Sequence, residues 1–100
     1  MTKEILQYYI DNSHLPWHQF TLGKINIDAY SEGYAKDEDG WFCYRVSERQ
    51  HVFKHYYETE QDCIDKTFRR LKFALELEDQ SLPELKTEET AIWSAEDQRA

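Results

Sequence analysis

Four histidines and two cysteines are the side chains of this sequence that could form a metal site or a nucleophilic site. His14 and His18 are four residues apart, and so are His51 and His55. Such a pair can share a zinc ion on a helix, where positions i and i+4 lie on one face. Pro16 interrupts the first pair, and the second pair lies on a predicted strand, where four residues span about 13 Å. We therefore predict no metal site.

Nucleophilic catalysis and phosphate binding have little support in the sequence. Cys43 and Cys63 lack the CxxC spacing, which favours reduced thiols that pack as small apolar groups. With only three glycines, neither a GxGxxG motif nor a P-loop is possible. The carboxylates of Asp37, Glu38 and Asp39 lie on a predicted exposed turn, and solvated carboxylates make poor general acids at neutral pH. We predict no enzymatic activity and no cofactor.

The charge balance limits the partners that this chain can bind. Its 100 residues contain 12 Lys and Arg against 20 Asp and Glu, a formal net charge of −8. Binding to nucleic acid phosphates or to anionic lipid needs a basic surface, so we predict no direct nucleic acid partner and no membrane partner. A charged partner is expected to be basic.

The length of the chain suits a single domain covering residues 1–100. We expect a core at about residues 3–79, followed by an acidic C-terminal segment, residues 80–100. The first ten residues lack the apolar stretch of a secretory signal, and no segment reaches the roughly 18 apolar residues of a membrane span. With so few cysteines, these features favour a cytoplasmic protein.

The elements that would position these side chains follow from the hydrophobic spacing. A helix is predicted over Lys3–Asn12 with Thr2 as its N-cap. Alternating residues predict a strand from Lys24 that bends near 31–33 and ends at Lys36, and further strands over 41–47 and 51–57. The Asp39-Gly40 pair favours a hairpin turn between the first two strands. We therefore predict a three-stranded antiparallel meander.

A long amphipathic helix is predicted over residues 60–78, with Thr59 as its N-cap. Its apolar stripe contains Ile64, Phe68, Leu71 and Leu75. Beyond Pro83, the sequence is compatible with a helix to about residue 97, an extended arm or a frayed end. The order of elements predicts an α+β fold with the helices on one face of the sheet.

One face of this sheet is a candidate binding surface. If Phe42, Tyr44 and Val46 face the helices together with Ile25 and Ile27, the open face carries a second set of side chains. That set is Trp41, Cys43, Arg45, Val52 and Tyr56, with Tyr30 nearby. The sequence does not give the register, so the reverse assignment stays open. Packing of these aromatics under the tail or under the Trp17 loop is an equal alternative.

Acidic residues are concentrated near the end of the sequence. Residues 76–100 contain 2 basic and 8 acidic side chains, a net charge of −6 out of the total of −8. Such a segment either aids solubility or steers the protein onto a basic surface. The candidate partner-binding residues are Asp37, Glu38, Asp39, Trp41, Arg45, Tyr56, Glu84, Glu88, Glu89 and Trp93.

The stretch from Trp41 to Glu78 resembles the core of small immunity proteins from bacterial polymorphic-toxin and contact-dependent growth inhibition systems. The resemblance rests on the Trp41–Val46 strand, the 47–49 turn, a second aromatic strand and the helix that follows Thr59-Glu60. It implies a small, cytosolic, non-enzymatic protein that neutralises a cognate toxin, frequently a basic nuclease. A monomer is favoured for such an inhibitor.

A second function is compatible with the same sequence. The chain could be a small adaptor or oligomerisation domain of phage or mobile-element origin that buries its aromatic sheet face in a homodimer. The oligomeric state discriminates the two hypotheses, because a dimer that buries Trp41 and Tyr56 favours the adaptor.

Overall fold

A computed structural model describes residues 1–16 and 18–85 of the chain. The elements are α1 (Lys3–Asp11), β1 (Gln19–Leu22), β2 (Ser31–Asp37), β3 (Gly40–Val46), β4 (Val52–Tyr57) and α2 (Glu60–Leu77). The fold is α+β, with α2 packed on the sheet, as the sequence predicts. Of the predicted C-terminal segment, residues 80–85 contain no helix or strand, and residues 86–100 lie outside the described residues.

Both predicted helix starts are confirmed. The Thr2 hydroxyl accepts a hydrogen bond from the Ile5 amide at 3.2 Å, and the Thr59 hydroxyl accepts one from the Asp62 amide at 3.1 Å. Each bond satisfies an amide that the first helical turn leaves without a partner. Within the described ranges, neither helix is long and apolar enough to cross a membrane.

The sheet has four strands in the order β1-β2-β3-β4, so the predicted three-stranded meander is wrong in its first strand. β1 pairs with β2 in parallel, whereas β2–β3 and β3–β4 are antiparallel. Ile25 and Ile27, which were expected in a strand, lie between β1 and β2 and are 41% and 59% exposed. Their alternation does not mark a buried face, and the neighbouring residues 19–22 pair with β2 instead.

The register decides the assignment of the sheet faces, which the sequence leaves open. Phe42, Tyr44 and Val46 lie opposite Tyr56, Lys54 and Val52. They form a buried cluster with Ala35 on the outer face, away from the helices. Trp41 and Cys43 instead join the core under α2. Val52 and Tyr56, which were grouped with Trp41 and Cys43, lie on the outer face, so the register divides that set between the two faces.

The main core lies between α2 and the sheet. It contains α2 residues Cys63, Ile64, Leu71, Ala74 and Leu75, together with Leu6, Phe20, Leu22 and Tyr34. Phe68 of α2 stacks on Tyr9 of α1, with ring centroids 5.9 Å apart. This contact places α1 along one side of α2. Phe73 and Leu77 of α2 lie away from this core and are exposed within the described structure.

The outer cluster is crossed by residues 23–30, which connect β1 to β2. The Tyr44 hydroxyl accepts a hydrogen bond from the Asn26 amide at 2.9 Å and lies 3.4 Å from the Lys24 carbonyl oxygen, to which it donates. At the end of this segment, the Tyr30 amide donates to the Val46 carbonyl at 3.0 Å. The connection therefore follows the outer face of the sheet.

Gly33 allows β1 to approach β2 closely. It pairs with Thr21, and a Cβ at position 33 would lie 1.8 Å from the Thr21 carbonyl oxygen. No side chain fits at this distance unless the two backbones move apart. The sequence indicates a bulge or bend at this position. In the structure, glycine is required because the backbone of β1 occupies the space of a side chain.

We expect Gly33→Ala to lower the free energy of unfolding by about 3 kcal/mol, because the added methyl group forces β1 away from β2. Gly40→Ala is the matched control. Gly40 has a φ of +123°, but no atom lies within 4 Å of the position of an added Cβ. Only backbone strain applies there, at a cost of about 1 kcal/mol. Chemical denaturation of both variants measures the difference, and equal losses would contradict the close approach.

Candidate protein-binding surfaces

The β2–β3 turn presents three carboxylates, and Asp37 organises it. Asp37 Oδ1 accepts a hydrogen bond from the Asp39 amide at 2.9 Å. Its Oδ2 accepts hydrogen bonds from the Tyr56 hydroxyl at 2.7 Å and from Lys54 Nζ at 3.1 Å. The side chains of Glu38 and Asp39 are exposed. We call Asp37, Glu38, Asp39 and Tyr56 the outer acidic patch.

The hydrogen bond between Tyr56 and Asp37 shifts the pKa values of both side chains. The hydrogen bond from Tyr56 and the contact with Lys54 hold the pKa of Asp37 below its usual value. The same bond to the carboxylate raises the pKa of Tyr56 to about 12. Asp37 is therefore ionised and Tyr56 protonated at neutral pH, and this is the pair of states that the hydrogen bond needs.

The structure separates the other candidate residues from this patch. Trp41 lies on the helix face, half-buried, with Lys36 Nζ 5.2 Å from its ring centroid. Arg45 is exposed at the far end of β3, also on the helix face. Glu84 is exposed, and its carbonyl oxygen accepts a hydrogen bond from the Tyr8 hydroxyl at 2.7 Å. Glu88, Glu89 and Trp93 lie outside the described residues.

A groove of about 420 Å³ lies on the helix face, where α2 leaves part of β3 and β4 uncovered. We call it the helix-face groove and define it by Cys43, Arg45, Phe53, His55, Lys66 and Arg70. A second hollow of about 250 Å³ continues it past Arg45 towards His18 and Tyr30. Phe53 is 58% exposed, so the groove has an apolar surface open to a partner.

An ion pair closes one side of the helix-face groove. Arg70 Nε lies 2.8 Å from Glu32 Oε1, and Arg70 Nη2 lies 3.4 Å from Oε2. Glu32 is only 5% exposed, so its charge needs this partner. The carboxylate in turn raises the pKa of Arg70. The pair orients the guanidinium along the groove.

Sequence reasoning missed this groove. Lys66 and Arg70 lie outside the predicted apolar stripe of the helix, and neither they nor Phe53 are among the candidate binding residues. Glu32 and Arg70 are 38 positions apart, and no local spacing connects them. One signal for the ion pair was present in the sequence. Glu32 lies in the same strand as Tyr34, and a carboxylate in a buried strand requires a partner of opposite charge.

The two cysteines lie close together under α2. Cys43 Sγ is 3.6 Å from the Cys63 carbonyl oxygen and 3.8 Å from Thr67 Oγ1. Burial raises the pKa of Cys43, and burial together with the neighbouring Cys43 raises that of Cys63 to about 12.

Among residues 1–16 and 18–85, no three histidine, cysteine or acidic side chains are grouped so that they could hold a metal ion.

Comparison of the chain with models of protein families, with curated proteins and with solved structures gives no match. The functional argument therefore rests on the geometry of the two surfaces.

Replacing Tyr56 by phenylalanine is expected to raise the pKa of Asp37 towards its usual value, because the hydrogen bond from Tyr56 contributes most to the shift. A carboxyl pKa lowered by folding stabilises the protein above the unfolded pKa of about 4, and this contribution disappears as the pH falls through the folded value. The variant should therefore lose more stability at pH 7 than at pH 2. A carboxyl-carbon NMR titration follows Asp37 directly.

Tyr30→Phe is the control for this substitution, because Tyr30 is an exposed tyrosine away from the Asp37 cluster. It should leave the titration of Asp37 unchanged. If Tyr56→Phe also left the titration unchanged, the hydrogen bond would not account for the lowered pKa.

Both thiols are expected to react slowly in the folded protein. At pH 8, labelling with a disulfide reagent should be at least about tenfold slower than in guanidinium chloride, because burial keeps the thiols protonated. The rate is measured from the absorbance of the released thiolate. Fast labelling of the folded protein would contradict this prediction and would support a nucleophilic cysteine.

Proposed function

We propose that this protein is a non-enzymatic inhibitor of the immunity-protein type, which binds a basic toxin domain through the outer acidic patch. The observation that carries the proposal is the exposed turn in which Asp37 is fixed by Tyr56 and Lys54. The turn presents Glu38 and Asp39 on a hairpin rather than on a free loop. The resemblance of residues 41–78 to small immunity proteins supports the same function.

The geometry of this patch suits recognition of a basic surface. The hydrogen bonds of Asp37 order the turn before a partner arrives, which reduces the conformational entropy lost on binding. Tyr56 is 41% exposed beside the carboxylates, and tyrosine is one of the residues that dominate interface energies. Opposite charges raise the rate of encounter, and desolvation of the tyrosine adds to the lifetime of the complex.

The net charge of the sequence adds to the attraction. Residues 76–100 carry a net charge of −6, with 2 basic and 8 acidic side chains. Charges of one sign act together over a Debye length of about 8 Å at physiological salt. We propose that this segment speeds the encounter and that the patch selects the partner.

The alternative function, a homodimer that buries one aromatic face, has less support. Trp41 lies in the core cluster on the helix face, and Tyr56 lies on the outer face opposite Phe42. A single interface cannot cover both side chains without crossing the sheet edge. We therefore propose a monomeric inhibitor with a cytoplasmic site of action.

The test uses the products of the genes that neighbour this one, screened for a toxin domain. The purified protein should bind that domain and abolish its activity. Glu38→Gln with Asp39→Asn should weaken binding at least about tenfold at about 50 mM salt, and the loss should shrink as salt is added. Calorimetry measures the affinity, and stopped-flow fluorescence measures the association rate.

The matched control removes the same charge elsewhere. Asp28→Asn with Glu48→Gln changes two exposed carboxylates outside the outer acidic patch. This variant should bind within about twofold of the unchanged protein. Equal weakening by the two double variants would show that only net charge matters. A neighbouring toxin domain that neither binds nor loses activity would contradict the proposed function.

A further inference from the structure

Strand β4 forms an edge of the sheet and has little of the usual protection of an edge. It spans Val52–Tyr57, pairs with β3 and has no other strand beside it in the described structure. It contains no proline, and its six residues pair with β3 in continuous register without a bulge. Lysine, proline and bulges are the devices that keep such edges from pairing, and β4 has only Lys54.

The hairpin register shows which backbone groups of β4 face outwards. The Ser47 amide donates to the His51 carbonyl at 2.9 Å, so this pair is hydrogen-bonded. In an antiparallel ladder the bonded pairs alternate, so Phe53, His55 and Tyr57 point their backbone groups towards β3. The amides and carbonyls of the other three residues point away from the sheet. These residues are Val52, Lys54 and Tyr56.

The helix-face groove lies beside this edge and is cationic. Phe53 and His55 of β4 form part of its floor, and Lys66 and Arg70 of α2 form its wall. Arg45 adds a third permanent positive charge, and Lys54, whose Nζ pairs with Asp37, is the fourth cation among the lining residues. Glu32 is the one carboxylate among the lining residues, and Arg70 already pairs with it. The groove is therefore a locally positive surface on a chain whose net charge is −8.

We propose that β4 and the helix-face groove together bind an extended acidic segment of another protein, which adds to the sheet as a fifth strand. The incoming backbone would pair with Val52, Lys54 and Tyr56 at the usual spacing of about 4.8 Å. Alternate side chains of that strand would then stand on the helix face. Acidic residues at those positions meet Lys66 and Arg45.

A second copy of this chain is a poorer occupant of the same edge. Antiparallel pairing of β4 with itself would bring two copies of Lys54 and His55 together. It would also place two cationic grooves side by side, and like charges across a strand pair are destabilising. An acidic strand removes this repulsion and replaces it with attraction.

This inference does not rest on the proposed inhibitor function. The outer acidic patch lies on the opposite face of the sheet and attracts basic groups, whereas the helix-face groove attracts acidic ones. Substitutions in Glu38 and Asp39 should leave strand addition unchanged. Failure of one proposal therefore leaves the other standing.

The test uses two capped eight-residue peptides, one alternating valine with glutamate and the other alternating valine with lysine. The glutamate peptide should bind at least about tenfold more tightly than the lysine peptide, as measured by NMR titration. On binding, amide exchange at Val52, Lys54 and Tyr56 should slow at least about tenfold. Binding without protection of these three amides would overturn strand addition.

Methylated peptides test the backbone pairing. In a strand, all valine amides point one way and all glutamate amides point the other. Methylation of one set should abolish binding, and methylation of the other set should be tolerated. Equal tolerance of both sets would overturn the proposal.

Matched variants test the charges of the groove. Lys66→Gln with Arg45→Gln should weaken binding of the glutamate peptide about tenfold. Lys72→Gln is the control, because Lys72 lies over Phe68 on the side of α2 that faces α1. Equal effects of the two variants would overturn the role of the groove. Protection of the β4 amides in the free protein, with a dimer in sedimentation, would assign the edge to a second copy.

Discussion

Leu71, Ala74 and Leu75 of α2 share one buried cluster with Tyr34 of β2, and this packing between helix and sheet determines the positions of both surfaces. Each large apolar side chain buried there contributes roughly 1.5–3 kcal/mol. The helix spans the central strands, and α1 fills the space on one side of it. On the other side, most of β4 and the end of β3 remain uncovered, which creates the helix-face groove.

The packing of α2 also separates the charges of the protein. The helix-face groove is lined by Lys66 and Arg70 of α2, and the opposite face of the sheet carries the Asp37 turn. Lys54 lies between them on β4 and is held by Asp37 at 3.1 Å. A chain with a net charge of −8 thus presents surfaces of both signs. Such an arrangement favours partners that differ in charge.

The sequence predicts the elements whose signals are local. Thr2 and Thr59 mark the starts of both helices, and Asp39-Gly40 marks the hairpin turn. The parallel pairing of β1 with β2 depends on contacts between residues distant in the chain, and a strand of four residues has too short a pattern to be recognised. The face assignment stays open at the level of the sequence because it depends on cross-strand register. Of the candidate site, the acidic turn was predicted, whereas the groove depends on the position of α2.

The two faces of the sheet are covered in different ways. A long helix covers one face through side-chain packing, but a connecting segment crosses the other, held in part by one tyrosine hydroxyl. Few backbone hydrogen bonds tie that segment to the sheet, so it can detach without the helices unfolding. The protein would then have a partly open state in which Tyr44 and the Val46 backbone, which this segment contacts, are accessible to chaperones and proteases. Turnover in a cell would be governed by this local opening rather than by global unfolding.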